Sequence, residues 1–171
     1  MDWRELLDRT GLIDAFAAFD ARVAGTFPLG LAVAGSDIDL LCHAPDAERF
    51  ARVLWETCSH YPHFAMWQWR TEDRPVVAAF SLGDMPVEVF GQARPVEQQL
   101  GWRHFDVERR LLGLGGTAFR ATIMDARQTG LKTEPAFASV LGLGGNPYEA
   151  LDTLADAADQ RLADLLRTAG F

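Results

Sequence analysis

An α+β fold is predicted, with a mixed β-sheet of about four or five strands in the first half and helices alone in the second. Three observations carry this. Helical and strand-like hydrophobic patterns mix up to residue 94, strand-like runs almost vanish after Pro95, and no internal repeat or low-complexity linker divides the 171 residues. At about 150 residues per domain this length predicts one unit, 1–171, made of a mixed α/β part (1–94) and a helical part (95–171).

From Trp3 to Phe19, Leu6, Leu7, Leu12, Ile13, Phe16 and Phe19 recur at three- and four-residue spacings, and Gly11 divides the run into two short helices. A first strand is expected at Ala21–Ala24. The consecutive apolar residues of Ile38–Cys42 read as a second, covered on both faces. Asp46–Ser59 reads as an amphipathic helix with acids in its first turn, where the helix dipole favours them.

Phe64–Arg70 is aromatic-rich and strand-like. Val76–Leu82 and Met85–Phe90 flank Gly83-Asp84, which suits a hairpin with a two-residue type II′ turn. Helices are then expected at Val96–Leu112, Ala118–Gln128, Pro135–Leu141 and Pro147–Thr168, with proline at their starts and glycine at their ends.

Composition narrows the function. With 49% hydrophobic residues the chain can build a true core, and 24 acidic residues against 16 basic ones leave a net charge of −8. That charge disfavours an extended nucleic-acid face, while a small or terminal phosphate substrate stays open. No apolar run approaches the roughly 20 residues of a membrane span, and the charged start Met1-Asp2-Trp3-Arg4-Glu5 is unlike a signal peptide. The protein is therefore expected in the cytoplasm, with Cys42 and Cys58 reduced and packed in the core.

The informative segment runs from Gly25-Thr26 to Ser36-Asp37-Ile38-Asp39-Leu40. Asp37 and Asp39, two apart on a predicted strand, leave the same face, and their carboxylates come within reach of one ion. Hard oxygen ligands so close suit Mg²⁺ or Mn²⁺; the alternative is a strand end whose acids face water or cap a helix. Gly25 lets backbone N–H groups and the Thr26 hydroxyl approach a phosphate without interference from a Cβ.

Gly-Thr, ten intervening residues and Asp-x-Asp together resemble the signature of the polymerase-β-like nucleotidyltransferase superfamily. The longer string, including Val-Glu-Val-Phe-Gly-Gln, Pro-Val-Glu-Gln-Gln and Trp-Arg-His, is similar to a bacterial family of unknown function within it. The resemblance implies a nucleotidyltransferase-like sheet and a third carboxylate on a later strand, for which Glu88 in Pro-Val-Glu-Val-Phe is the candidate. The alternative reading of Glu88 is an edge-strand acid facing solvent.

The resulting expectation is a Mg²⁺- or Mn²⁺-dependent transfer of a nucleoside monophosphate from a nucleoside triphosphate to a hydroxyl acceptor. Asp37, Asp39 and Glu88 would act as metal ligands and catalytic acids, and Gly25, Thr26, Ser36, Arg103 and Lys132 as nucleotide-binding residues. The acceptor would be a small molecule or a protein rather than a long nucleic acid. A catalytically inactive nucleotide-binding or antitoxin-like module, and a metal-dependent phosphohydrolase, remain alternatives.

The remaining residues read less specifically. Lys132, the only lysine, suits a phosphate or an interhelix turn; Gln98, Arg103 and His104 suit the acidic site or ordinary salt bridges. His60 and His63 are expected in a loop, Trp55, Trp67, Trp69 and Trp102 in the core, and Gly142-Leu143-Gly144-Gly145 in a flexible link.

Overall fold

The computed structural model describes residues 2–171 as two compact units, one comprising residues 2–27 and 35–99, the other 28–34 and 100–171. The first unit opens with two short helices, α1 (Trp3–Thr10) and α2 (Leu12–Ala15). They are separated at Gly11, whose φ of 62° is the left-handed value that ends α1. A five-stranded mixed sheet follows, in the order β1 (Arg22–Ala24), β2 (Ile38–His43), β5 (Met85–Gln92), β4 (Val76–Leu82), β3 (Ala65–Gln68). Pairing is antiparallel except between β2 and β5, which run parallel. This is the α+β architecture expected from the pattern.

One sheet face carries the core. Ile38, Leu40, Cys42, Val76, Ala78, Phe80, Leu82, Val87 and Val89 cluster with Leu7, Leu12, Phe16, Phe19, Phe50 and Leu54 from the helical side. α3 is the short helix Thr26–Leu29, and α4 (Ala47–Cys58) is capped by the Asp46 carboxylate, which accepts from the Arg49 N–H at 2.9 Å. Phe50 on α4 meets Phe19 edge-on at 4.9 Å. It sits so close to Gly91 of β5 that a Cβ there would lie 2.2 Å from the ring. Burial pushes the thiols of Cys42 and Cys58 up to about 12, which marks them as core filler.

The hairpin turn is as expected: Gly83 has φ 60°, and Asp84 is not among the residues of positive φ, which is the type II′ combination. Several boundaries differ. The strand expected at Phe64–Arg70 pairs only over Ala65–Gln68, and Val96–Gln98 forms a 3-10 turn rather than the start of a long helix. The two helices expected on either side of Gly113-Leu114-Gly115-Gly116 are present as the two halves of α5 (Leu100–Gln128), divided by a kink at Gly116, where φ 67° and ψ −159° are not helical. Gly115 fits there because a Cβ would strike Phe119 at 2.7 Å.

In the second unit α5 packs with α6 (Thr133–Val140), α7 (Pro147–Ala155) and α8 (Asp159–Thr168). The single helix expected at Pro147–Thr168 is thus broken after Ala155. Arginines from α5 hold the break: Arg110 donates to the carbonyls of Ala155 and Ala157 and pairs with Asp159, and Arg103 grips Asp152 at 2.6 Å and Asp156 at 2.8 Å. Carbonyls that end a helix need donors, and here distant guanidinium groups supply them. Arg120 likewise donates to the Leu29 carbonyl.

This unit also buries an unusual acid. Glu108 on α5 is 3% exposed, and its Oε1 has no hydrogen-bond partner. Burial, and then repulsion from Glu134, raise its carboxyl well above the ordinary range against the opposing pull of Arg127. Glu134 itself is lowered despite its burial, because His104, a backbone N–H and Lys132 all favour its charge. An acid whose pKa folding raises keeps its proton to higher pH in the native state than in the unfolded chain. Stability therefore falls as pH rises above the ordinary carboxylate range. Glu108→Gln, which keeps the shape without the charge, should raise Tm by a few degrees at pH 8 and leave it nearly unchanged near pH 4, as read by thermal melts at both values.

Candidate functional site

The site grows from the one parallel pairing in the sheet. β2 and β5 lie in register with Asp39 opposite Glu88, and β1 places Ala24 opposite Asp39 on the other side. β4 sets Ala79 opposite Glu88, and β3 sets Ala65 opposite Ala79. The row across the sheet therefore reads Ala24, Asp39, Glu88, Ala79, Ala65: two acids with methyl groups on either side. Residues directly opposite one another share a face, so both carboxylates leave the face away from the buried cluster. Val87 and Val89, to each side of Glu88, are buried on the core face. That answers why an acid interrupts an apolar strand.

Two acids on adjacent strands, about 4.8 Å apart by sheet geometry, repel each other. Both are half-buried and both engage neighbouring groups. Gly25 shapes the local space. Its φ is 72°, and a Cβ on it would stand 1.9 Å from Asp39 Oδ2, so this backbone approaches the carboxylate as only glycine allows. Thr26 begins α3, and its hydroxyl is buried without a hydrogen-bond partner. A buried hydroxyl left unpaired costs about 1–3 kcal/mol, a cost that a bound polar group removes.

Asp37 is exposed and stands one residue ahead of β2, outside the paired strand, and the half-buried Ser36 follows Gly35, where φ is 82°. The structure thus pairs Asp39 with Glu88 across two strands, next to Gly25, and leaves Asp37 at the strand entrance. Among the described residues, no group of three or more His, Cys, Asp or Glu side chains is placed to hold a metal ion. The donors present nonetheless fit Mg²⁺, an ion commonly held by one or two carboxylates with waters and substrate phosphates completing its shell. The orphaned Thr26 hydroxyl agrees with a polar, phosphate-bearing ligand.

The other expected nucleotide-binding residues belong to the helical unit. Arg103 spends its guanidinium on Asp152 and Asp156, which raise its pKa further, and Lys132 is exposed at the N-cap of α6. His104 is buried, with its Nε2 2.9 Å from the Tyr148 carbonyl oxygen and its Nδ1 3.5 Å from Glu134. His60 and His63 lie exposed between α4 and β3. The tryptophans correct the expectation of a core role: Trp55, Trp67 and Trp69 are 57%, 40% and 46% exposed. A signal was present in Phe-Ala-Met-Trp-Gln-Trp, whose alternation puts Trp67 and Trp69 on one face of a short edge strand.

No helix among the described residues is long and apolar enough to cross a membrane. None of the curated proteins matches the chain in sequence. Among solved structures, the GLD-2/RNP-8 complex aligns with a TM-score of 0.53 at 13% identity, covering 95% of this chain and 75% of that one. A cytoplasmic RNA terminal U-transferase aligns with a TM-score of 0.52 at 14% identity, covering 86% of this chain and 42% of that one, so this chain spans less than half of that protein's length. Identities this low establish the nucleotidyltransferase-like fold and nothing finer. The sequence itself matches one family over residues 5–154, and the chain accordingly belongs to DUF4269, a domain of unknown function.

Proposed function

We propose that this chain transfers a nucleoside monophosphate from a nucleoside triphosphate to a hydroxyl acceptor, using Asp39 and Glu88 with Asp37 beside them. The single observation behind this is the register that sets Asp39 against Glu88, with Gly25 pressed against the Asp39 carboxylate. Asp39, Glu88 and Asp37 would hold Mg²⁺ or Mn²⁺. Such an ion, when bound, stabilises negative charge on the transferring phosphoryl group and on its attacking and leaving oxygens.

The chain's own groups do the rest. The triphosphate tail lies beside Thr26 and Ser36, whose hydroxyls donate to its oxygens. One carboxylate accepts the proton of the acceptor hydroxyl. The acceptor oxygen bonds to the α-phosphorus, and pyrophosphate departs with the electrons of the broken P–O bond. The flanking alanines leave room above the acids for the reacting groups.

A second reading keeps nucleotide binding without turnover. It is favoured by the exposed Asp37 and by the lack of a preassembled three-ligand group among the described residues. Incubation with each of the four α-labelled triphosphates, Mg²⁺ and a panel of hydroxyl acceptors separates these readings. Pyrophosphate with a labelled acceptor is the expected result; binding without product supports the inactive module, and free phosphate marks a hydrolase.

Two variant predictions follow from the same geometry. Asp39→Asn and Glu88→Gln should each lower transfer by roughly 10²–10³-fold, the scale for losing one electrostatic stabiliser, with melting curves that remain cooperative. Gly25→Ala should displace the Asp39 carboxylate, cost about 1–3 kcal/mol through its left-handed backbone, and abolish calorimetric binding of Mg²⁺ with triphosphate.

A further inference from the structure

The sheet face that carries Asp39 and Glu88 has a second row of side chains two residues further along β2 and β5. By register it reads Arg22, Leu41, Phe90, Val77, Trp67. Trp69 continues the same side of β3, with its backbone N–H donating to the Pro75 carbonyl at 3.0 Å and its ring edge-on to Phe90 at 5.4 Å and 73°. Val77, between these rings, is fully buried, yet the two indoles are 40% and 46% exposed. Exposing two large aromatics side by side is costly for a surface that binds nothing.

The rim of this patch differs in charge from the rest of the molecule. Arg70, Arg74 and Arg94 stand against Glu72 and Asp73, a local excess of one positive charge in a chain of net charge −8. Arg94 pairs with Asp73 at 3.0 Å, and Arg74 donates to the Gln68 side-chain oxygen at 3.1 Å. Arg70, beside Trp69, makes no ion pair among the described residues. Open indole faces beside a guanidinium suit a flat heteroaromatic ring that carries phosphate.

The geometry points to this aromatic row as the binding place of the acceptor, and to a nucleobase-bearing acceptor of one nucleotide as its occupant. The inference rests on the transferase reading and supplies the substrate class that reading lacks. Trp67 stands two strands over and one row along from Glu88, roughly 10 Å across and 7 Å along by sheet spacings, a span that one or two nucleotide units bridge. A strand is disfavoured because sustained phosphate contact needs a run of cationic groups, and this rim offers three arginines with two acids among them. The base stacks on Trp67 and Trp69, Arg70 takes a phosphate oxygen, and a ribose hydroxyl is presented toward the acid row.

The test measures binding apart from catalysis. Equilibrium dialysis of radiolabelled AMP and UMP in EDTA is carried out with wild type, Trp67→Ala/Trp69→Ala, Trp67→Phe/Trp69→Phe and Asp39→Asn/Glu88→Gln. Saturable binding by wild type is expected, at least tenfold weaker in the alanine variant, the scale of one lost stack, and largely kept in the phenylalanine variant. The acid variant should bind as wild type does, so failure of the transferase reading would leave this result standing. Thermal melts confirm that the half-exposed tryptophans can be replaced without unfolding. Equal binding by wild type and the alanine variant, or no saturable binding at all, overturns the inference. So does tighter, Trp-dependent binding of a single-stranded oligonucleotide, which makes the occupant a strand, or a wild-type dimer that the alanine variant dissociates, which makes it a second copy.

Discussion

The parallel pairing of β2 with β5 is the constraint on which the acidic site depends. Those strands are 49 positions apart at the Asp39–Glu88 pair, and nothing local holds the two carboxylates together. A slip of one residue would send Glu88 to the core face and bring Val87 or Val89 out, exchanging a buried valine for a buried charge. The apolar cluster over the other face therefore keeps the acids on their own face, because burying Ile38, Leu40, Val87 and Val89 together leaves Asp39 and Glu88 pointing the other way.

Gly25 and Gly91 show the same economy on opposite faces. At Gly25 the missing side chain admits a carboxylate; at Gly91 it admits the ring of Phe50. The acid face then holds small residues around Asp39 and Glu88, while the core face is filled by Phe16, Phe19 and Phe50.

The helical unit is organised by arginine. Arg103, Arg110 and Arg120 each reach main-chain carbonyls far away in sequence, and two of them also hold carboxylates. A guanidinium presents five donors in a fixed fork, so it can close a helix end and pair an acid together, which a lysine ammonium does less well. Fifteen arginines against one lysine find part of their explanation here. Glu108 and Arg127 are less well served, each retaining a buried atom without a partner.

Local chemistry made much of the first unit legible: Gly11, the Asp46 cap, Gly83-Asp84 and the alternation of β2, β4 and β5 each act within a few residues. The Gly-Thr and Asp-x-Asp spacing also pointed to Gly25, Thr26, Asp37 and Asp39 without coordinates. Tertiary contacts decided the rest. The break between α7 and α8 has no glycine or proline signal and exists because Arg103 and Arg110 stabilise it from α5. The short edge pairing of β3 turned Trp67 and Trp69 outward although their size suggested a core. Composition and period determined which segments become helix or strand; only folding could decide that Glu88 faces Asp39, because that depends on a strand register set by packing on the opposite side of the sheet.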